Sequence, residues 1–454
     1  MSIESRNPAT GELLASFDPL GADALEARLA RAAAAFTGWR RTPIGERARL
    51  MNRLADLFEA APDRYGRLMT LEMGKPARAA REEALKCVRG CRYYAENAAA
   101  FLQDEEFATE AARSYVRYEP VGVVFAVMPW NFPFWQVIRF AAPALMAGNV
   151  ALLKHAPNVP QCALAIEELF IQAGFPDGVF QSLLIEVDQV PPILDDPRVA
   201  AVTLTGSDRA GRDVAGRAGR ALKKSVLELG GSDPFIVMPS ADLARAVQTA
   251  VKSRTFNSGQ SCIAAKRFIV ADAIADEFLT RFVDAMRGLT VGDPADDATE
   301  LGPLARQDLR DALAEQVNDA VARGARVLTG GAPLPGPGFY YPPTVLADVP
   351  RSARAFREEL FGPVAMVFRV RDAEEAITLA NDTPYGLGAT VCTNDPAERD
   401  RFIAALEAGQ VFVNAMVASD PRLPFGGVKM SGYGRELGPH GIREFAQPKT
   451  IWIA

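Results

Sequence analysis

The stretch VAAVTLTGSDRAGRDVAGRAGRALKKSVLELGG, Val199–Gly231, decides the fold class. It begins with Val199–Thr205, an apolar run rich in β-branched residues that is typical of a buried strand. Gly206 and Ser207 then form a turn, and Ala210–Lys223 has the spacing of a helix. Strand, tight turn and helix predict one β-α unit of a parallel sheet, with a turn whose N–H groups suit a phosphate.

The same alternation continues on both sides of this unit. A helix is predicted at Cys162–Ala173, and further strands at Val150–Lys154, Phe235–Met238, Phe268–Val270, Val364–Val370, Ala389–Thr393 and Val411–Asn414. A chain of 454 residues is too long for one compact core. We therefore predict an α/β protein with two or more domains, built from right-handed β-α-β units around parallel sheets.

Other segments have different patterns. Ala22 to about Ala112 has helical composition and spacing, whereas Ser114–Val127 is rich in Val and Tyr and predicts extended chain. The last residues, Lys449–Ala454, predict a short apolar strand. Such a strand needs a sheet edge or a partner subunit to cover it.

Composition and charge exclude several classes of partner. The net charge is −6 and no long basic run is present, so no nucleic-acid partner is expected. The uncharged stretch Pro120–Ile138 has the length of a membrane helix. However, Pro129, Asn131 and Pro133 at its centre would leave backbone groups unsatisfied in lipid. We therefore interpret it as buried strand, loop and helix start, and expect no membrane partner.

The cysteines indicate the cellular compartment. Five is an odd number and sparse for this length, which favours reduced thiols over a disulfide framework. The N-terminal residues show no secretory signal. Both observations predict a cytoplasmic protein. Cys87 and Cys91 lie one helical turn apart with no further Cys or His nearby in sequence, so no metal site is expected.

One cysteine differs from the other four, which fall in helical or strand-like patterns typical of small buried thiols. Cys262 ends the turn-like stretch NSGQSC, Asn257–Cys262. A thiol on a tight turn presents both its sulfur and its backbone N–H to one substrate atom. Cys262 is therefore a candidate nucleophile, with a structural thiol as the alternative.

The candidate base is a carboxylate. The two histidines, His155 and His440, lie in no nucleophile–histidine pattern, which disfavours serine-hydrolase and papain-like chemistry. Glu228 lies between apolar residues and precedes two glycines in SVLELGG. Apolar surroundings raise a carboxyl pKa and make the group a base near neutral pH. The alternative is a solvated glutamate at a strand end.

Seven motifs in order strengthen these interpretations. They are PWNFP (Pro129–Pro133), LLK (Leu152–Lys154), TGSDRAG (Thr205–Gly211), LELGG (Leu227–Gly231), GQSC (Gly259–Cys262), EELFGPV (Glu358–Val364) and PFGGVKMSGYGRE (Pro424–Glu436). Together they strongly resemble the aldehyde dehydrogenase superfamily, over nearly the whole chain. Within it, KHAPNVP (Lys154–Pro160), ELGGSDPFIV (Glu228–Val237) and AFREELFGPVA (Ala355–Ala365) are most similar to bacterial succinate-semialdehyde dehydrogenases.

The resemblance implies a role for each motif. It implies Cys262 as the nucleophile, Glu228 as the base that activates the deacylating water, and Asn131 with the Cys262 backbone N–H as oxyanion donors. An aldehyde, by this resemblance succinate semialdehyde, would pass through a thiohemiacetal and a thioester, with NAD or NADP as hydride acceptor. The implied cofactor contacts are Lys154, Gly206, Ser207, Trp130, Glu359 and Phe361.

One position departs from the NAD-specific pattern. Three residues after the ribose-binding lysine, such members usually carry a glutamate that accepts the ribose hydroxyls, and this chain has Pro157. Without that carboxylate a 2′-phosphate is not repelled. NADP is therefore expected to be tolerated, and the preference stays open.

The distal substrate carboxylate needs a cation. Arg139 lies eight residues after Asn131 among apolar residues, and matches the carboxylate-binding arginine of similar enzymes. Two helical turns are about seven residues, so we expect both on one face of a helix. Ser419 and Phe425 are further candidate contacts. A second arginine of some relatives is replaced by Phe256, and the direction of nearby Arg254 cannot be inferred.

The resemblance also implies the domain organisation. A Rossmann-like NAD(P)-binding domain would comprise 1–101 and 121–230, an α/β catalytic domain 231–432, and a small β oligomerisation flap 102–120 and 433–454. A homodimer or homotetramer is expected. Alternative functions are a dehydrogenase for another aldehyde, a CoA-acylating dehydrogenase, which would not need Glu228 as a base, and a non-catalytic structural protein on this scaffold.

Overall fold

Two short strands and four helices precede the first large sheet. The computed structural model describes residues 2–454. Strands β1 (Ile3–Arg6) and β2 (Leu13–Phe17) pair antiparallel. The helices are α1 (Ala22–Trp39), α2 (Ile44–Ala60), α3 (Pro62–Met73) and α4 (Ala77–Phe101). They are amphipathic: α2 packs on α4, and the buried stripe of α2 includes Leu50, Leu54 and Phe58.

The helical region is shorter than the sequence predicts. Helix α4 ends at Phe101 rather than near Ala112, and β3 (Glu105–Glu106) and β4 (Arg113–Pro120) follow. The predicted extended segment Ser114–Val127 is divided between β4 and β5 (Val123–Met128), which belong to different sheets. Gly122 turns the chain between them with a φ of 140°, and its N–H donates to Asn149 Oδ1 at 3.1 Å.

Strand β5 starts a Rossmann-like sheet. The next parallel strands are β6 (Val150–His155), β7 (Phe180–Ser182), β8 (Val199–Thr205) and β9 (Lys224–Glu228). They are connected by α5 (Trp135–Met146), α6 (Pro160–Ala173), a 3₁₀ turn (Val187–Gln189), α7 (Val190–Asp195) and α8 (Asp208–Arg220). In the order β9-β8-β5-β6-β7, β6 and β7 are added on one side of β5 and β8 and β9 on the other, so the strand order reverses between β5 and β8. The predicted parallel β-α units are confirmed.

A second sheet forms the following part of the chain. Its strands are β10 (Pro234–Val237), β11 (Arg267–Ala271), β12 (Arg326–Thr329), β13 (Thr344–Ala347), β14 (Val364–Val370), β16 (Gly388–Cys392) and β17 (Gln410–Val413). The short strand β15 (Tyr385–Gly386) lies between β14 and β16 in the chain and does not belong to this sheet. The order is β12-β13-β14-β11-β10-β16-β17, parallel except for β12. Its helices are α9 (Leu243–Thr255), α10 (Asp272–Arg287), α11 (Gln307–Ala322), α12 (Arg354–Arg357), α13 (Ala373–Asn381) and α14 (Pro396–Ala405).

Alternate residues of the central strands fill two separate cores. Phe235 and Phe268 pack on one face of the second sheet, and Ile236 and Ile269 pack on the other. The period of two in a strand produces this division, and burial on both faces explains the continuous apolar runs in the sequence.

The C-terminal segment joins the sheets. Strand β18 (Val428–Lys429) pairs with β15, and β19 (Gly432–Tyr433) pairs with β9 of the first sheet. After α15 (Gly438–Glu444), β20 (Ala446–Ile453) pairs antiparallel with β4, which pairs with β3. The predicted apolar C-terminal strand is therefore confirmed, and the segment around 113–120 covers one of its edges.

The uncharged stretch Pro120–Ile138 has the predicted structure. It comprises the end of β4, the buried strand β5, a loop and the first residues of α5. Across residues 2–454, no helix combines the length and apolar character needed to cross a membrane.

Candidate active site

The carboxyl ends of the parallel strands bring predicted site residues to one edge of the first sheet. The register aligns Val127 of β5 with Lys154 and Leu204 of its neighbours, and Thr205 with Glu228. Trp130 and Asn131 directly follow β5, and Gly206 and Ser207 directly follow β8. In a doubly wound sheet, ligands bind at this edge, where the strand order reverses.

Cys262 lies at the end of a loop between α9 and β11. Asn257, Ser258 and Gly259 have φ values of 56°, 55° and 75°, three consecutive residues in left-handed conformation. A Cβ on Gly259 would lie 2.3 Å from the carbonyl carbon of Gly362, so only glycine fits there. The prediction of a tight turn before Cys262 is correct, and the turn is held against the EELFGPV motif.

Buried cations fix the backbone carbonyls of this loop. Arg254 Nη2 donates to Gly259 O at 2.7 Å, and Lys266 Nζ donates to Ser261 O at 2.9 Å and to Cys262 O at 2.7 Å. Within residues 2–454 no protein atom accepts the Cys262 backbone N–H, which leaves it available to an oxyanion. Arg254 thus points into the protein and supports the loop, a direction that the sequence did not indicate.

Asn131 is held against the same loop. Its side-chain Nδ2 donates to Gln260 O at 3.1 Å, and a second hydrogen on Nδ2 is left for another acceptor. Its backbone oxygen accepts from Asn257 Nδ2 at 2.8 Å and from Lys75 Nζ at 3.0 Å. Lys75 is itself paired with buried Glu83. The predicted oxyanion donor and the predicted nucleophile therefore lie on two loops bound to each other.

Burial raises the pKa of both reacting groups. Desolvation raises the pKa of the Cys262 thiol to about 12, and the negative charge of Glu359 acts in the same direction. Glu228 is 2% exposed, and neither of its carboxyl oxygens has a hydrogen-bond partner among residues 2–454. Burial, followed by the charge of Glu436, raises its pKa well above the usual range. The solvated alternative for Glu228 is therefore wrong, and rising pH favours its action as a base.

An ion pair lies close to Glu228. Arg139 pairs with Glu436, and their side chains are only 3% and 4% exposed. Arg139 Nη2 also donates to Thr205 Oγ1 at 3.2 Å, and its guanidinium carbon lies 4.7 Å from the centroid of the Phe425 ring. Glu436 ends the motif PFGGVKMSGYGRE, but its 297-residue separation from Arg139 conceals the contact between the two residues.

The prediction that Asn131 and Arg139 lie on one face of a helix is wrong. Helix α5 begins at Trp135, so Asn131 precedes it by four residues and shares no helix face with Arg139. The burial of Arg139, predicted from its apolar neighbours, is confirmed. Because Glu436 already compensates its charge, the carboxylate contact of Arg139 stays a prediction.

Ser419 has partners that the sequence did not indicate. Its Oγ accepts from Lys86 Nζ at 2.6 Å and from Trp135 Nε1 at 3.1 Å. Lys86 belongs to α4, where nothing in the local pattern distinguishes it from a surface lysine. Phe256, at the position of the missing second arginine, stacks on Phe132 with ring centroids 5.4 Å apart.

The groups predicted to contact a nucleotide fit that role. Ser207 is the N-cap of α8, where its Oγ accepts from Ala210 N at 3.3 Å, so the Gly-Ser turn lies at a helix N-terminus. Lys154 Nζ donates to His155 O at 3.1 Å and forms no ion pair within residues 2–454, and burial lowers its pKa to about 8. Buried Asn158 leaves its amide group unpaired. Unpaired donors and acceptors after β6 suit ribose hydroxyls, and Pro157 between them is exposed.

The second sheet contributes the remaining predicted contacts. Glu359 Oε1 accepts from Gly231 N at 3.1 Å and from Lys266 Nζ at 3.2 Å. Burial raises the pKa of Glu359, and Lys266 opposes this effect. The rings of Phe361 and Trp130 meet edge to face, with centroids 5.6 Å apart. Segments next to strands of both sheets thus meet near the loop of Cys262.

Known proteins share this sequence and architecture. The sequence model that describes the aldehyde dehydrogenase family matches residues 1–451. Succinate-semialdehyde dehydrogenase [NADP(+)] 1 of Mycobacterium ulcerans is 56% identical, over 100% of both chains. Succinic semialdehyde dehydrogenase of Streptococcus pyogenes, solved with NADP+, is 37% identical with a TM-score of 0.97, over 99% of both chains. PnpE, solved with nicotinamide adenine dinucleotide, is 33% identical with a TM-score of 0.97, over 100% of this chain and 94% of its own.

These similarities extend over the whole chain, and not only over the motifs. The predicted α/β fold with a Rossmann-like sheet is therefore confirmed, both by the strand order and by the superposition on solved structures. With a family match from residue 1 to residue 451 and the nucleophile loop in place, the chain belongs to the aldehyde dehydrogenase family.

Proposed function

We propose that the protein oxidises succinate semialdehyde to succinate, with NADP⁺ or NAD⁺ as hydride acceptor. The observation that carries the reaction class is the hydrogen bond from Asn131 Nδ2 to Gln260 O, because it holds an amide donor beside the Cys262 loop. A thiol, two N–H donors and the buried carboxyl of Glu228 are the groups that this chemistry needs. The substrate proposal is supported by relatives with that name at 56% identity.

Cys262 carries the substrate through both halves of the reaction. Its Sγ bonds to the aldehyde carbon as the thiol proton passes to solvent water, and the carbonyl oxygen becomes an oxyanion held by Asn131 Nδ2 and the Cys262 N–H. A bound nicotinamide cofactor supplies the hydride acceptor, which leaves a thioester on Cys262. Glu228 then removes a proton from water as the water oxygen attacks the thioester. The C–S bond breaks, the acid departs, and Sγ takes the proton that Glu228 removed from water.

The same site is proposed to accept both cofactors. Lys154 would contact the adenosine ribose, Gly206 and Ser207 at the N-terminus of α8 would contact the pyrophosphate together with Trp130, and Glu359 and Phe361 would hold the nicotinamide end. Pro157 presents no carboxylate to a 2′-phosphate. Arg139, Ser419 and Phe425 stay the predicted contacts for the substrate.

The rival functions differ in measurable ways. A CoA-acylating enzyme would form acid only slowly without CoA, and the buried Glu228 favours water as the acceptor instead. A non-catalytic protein would show no turnover at all. Reduction of NADP⁺ and NAD⁺ is therefore measured with succinate semialdehyde and with butanal, with and without CoA.

The control variants separate catalysis from folding. Cys262→Ala is expected to abolish reduction, whereas Cys392→Ala, which removes a buried thiol in β16, should retain it. Turnover in Cys262→Ala would overturn the mechanism. A requirement for CoA, or equal kcat/KM for both aldehydes, would overturn the proposed acceptor or the proposed substrate.

The subunit organisation is proposed on the same basis. We assign 1–101 and 121–230 to cofactor binding, 231–432 to catalysis, and 102–120 with 433–454 to a flap that forms a homodimer or homotetramer in the cytoplasm. Trp452 and Ile453 on β20 are 54% and 46% exposed, which leaves apolar surface for a second copy. Light scattering of Trp452→Glu should show smaller particles than the unmodified protein. An unchanged mass would contradict this interface.

A further inference from the structure

We propose that Lys86 of α4, together with Ser419, binds the distal carboxylate of the semialdehyde. This assignment rests on the proposed function, and it adds a specificity-determining residue to the substrate site. It also gives Ser419 a defined partner in that task.

Three elements converge at Lys86. Lys86 Nζ lies 2.6 Å from Ser419 Oγ and 4.5 Å from the centroid of the Trp135 ring, and Trp135 Nε1 lies 3.1 Å from the same Ser419 oxygen. Trp135 is the first residue of α5, four residues after Asn131. The ammonium group is therefore linked through one tryptophan to the segment that carries the oxyanion donor.

Lys86 and Ser419 both have hydrogen-bond donors free for a ligand. Ser419 Oγ accepts from both Lys86 and Trp135, so its own hydrogen can be donated to a ligand. Of the three ammonium hydrogens of Lys86, one is directed at Ser419 and two have no acceptor among residues 2–454. A hydroxyl and an ammonium that both donate suit a carboxylate, whose two oxygens only accept.

Lys86 forms no direct ion pair with a carboxylate. Arg139, one of the cations near it, pairs with Glu436. Glu83 on the same helix is paired with Lys75 and accepts from the amides of Phe134 and Trp135 at 3.0 Å. No carboxylate within residues 2–454 forms an ion pair with Lys86. A partly buried cation without a direct ion-pair partner favours an anionic ligand.

The surroundings of Lys86 lower the pKa of its ammonium group. Burial, followed by the charge of Arg139, lowers its pKa to about 8. Arg89 acts in the same direction, whereas Glu83 and Cys87 on the same helix oppose it, and Asp420 faces it from the loop of Ser419. The ammonium is present below that pKa and is lost above it. The KM for a carboxylate-bearing aldehyde should therefore rise as pH passes about 8.

The test compares Lys86→Met, Lys86→Arg and a control, Arg78→Met, which removes an exposed cation from the same helix. Melting temperatures confirm folding. Lys86→Met is expected to lose about ten- to a hundred-fold in kcat/KM for succinate semialdehyde, mainly through KM, with butanal nearly unchanged. Lys86→Arg should recover much of the loss without the rise in KM near pH 8. Arg78→Met should match the unmodified protein.

Failure of this inference differs from failure of the proposed function. If the unmodified protein prefers the semialdehyde and Lys86→Met keeps that preference, or loses both aldehydes equally, Lys86 does not bind the carboxylate. If the unmodified protein shows no preference, the proposed substrate is wrong. Inhibition of butanal oxidation by succinate then tests the carboxylate site alone. Weaker inhibition of Lys86→Met supports the site, and equal inhibition overturns it.

Discussion

Arg139 and Glu436 form a buried ion pair whose two charges act on Glu228 in opposite directions. The negative charge of Glu436 raises the pKa of Glu228, and the positive charge of Arg139 lowers it. Burial is the largest cause of the raised pKa. The pair therefore adjusts the basicity of Glu228 around a value that desolvation sets.

Removal of Arg139 should slow the oxidation of every aldehyde. Arg139→Met leaves Glu436 buried and unpaired, which raises the pKa of Glu228 further. The basic form of Glu228 exists only above that pKa, so the pH profile of kcat should move to higher pH for succinate semialdehyde and butanal alike. Breaking a buried pair also costs about 3–5 kcal/mol of stability, measurable by urea unfolding.

The double variant Arg139→Met with Glu436→Gln is the matched control, because it removes both charges. Its butanal profile should return towards that of the unmodified protein. A remaining loss confined to succinate semialdehyde would measure a contact of Arg139 with the substrate carboxylate. If Arg139→Met alone leaves butanal oxidation unchanged, the ion pair has no effect on Glu228.

Glu228→Gln should separate the two halves of the reaction. Glutamine preserves the shape of the side chain but cannot accept the proton of the attacking water. A rapid burst of reduced cofactor should survive in stopped-flow measurements while steady turnover falls by about a hundredfold or more. Loss of the burst together with turnover would mean that Glu228 activates the Cys262 thiol instead.

The parallel sheets were predictable because their signals are local. Val199–Thr205, the Gly-Ser turn and the following helix are specified by neighbouring residues, and the structure has all three. The boundary of α4 was missed because Leu102–Ala112 has helical composition, yet the chain turns after Phe101 to pair with β20. Tertiary pairing here outweighs local propensity.

The site was predictable only in part, for the same reason. Cys262, Asn131 and Glu228 lie in motifs, and the turn before Cys262 has its own glycine signal. Lys86 lies in no motif and Glu436 only ends one, because their roles depend on contacts across 333 and 297 residues respectively. A lysine in a helix and a glutamate near a glycine are ordinary surface residues until the fold buries them.

Pro157→Glu should shift the cofactor preference towards NAD. A carboxylate three residues after Lys154 would accept ribose hydroxyls and repel a 2′-phosphate. The ratio of kcat/KM for NAD⁺ to that for NADP⁺ should rise about tenfold, equivalent to about 1.4 kcal/mol. Pro157→Gln is the matched control, since it removes the proline ring without adding charge. An equal shift in both variants would assign the effect to the backbone rather than to the carboxylate.

Gly259→Ala should disable the loop that carries Cys262. The φ of 75° disfavours any side chain, and the new Cβ would lie 2.3 Å from the Gly362 carbonyl carbon, which is backbone and cannot rotate away. Moving either backbone segment of this contact costs about 1–3 kcal/mol of stability and displaces Cys262 from Asn131. Urea unfolding should show that loss, and kcat should fall for both aldehydes because the oxyanion donors no longer meet.

Gly219→Ala provides the control: no atom lies within 4 Å of a Cβ placed there, and alanine favours the helix α8. That variant should be as stable as the unmodified protein or slightly more so, with unchanged turnover. Full activity in Gly259→Ala would mean that Cys262 does not depend on the left-handed turn for its position.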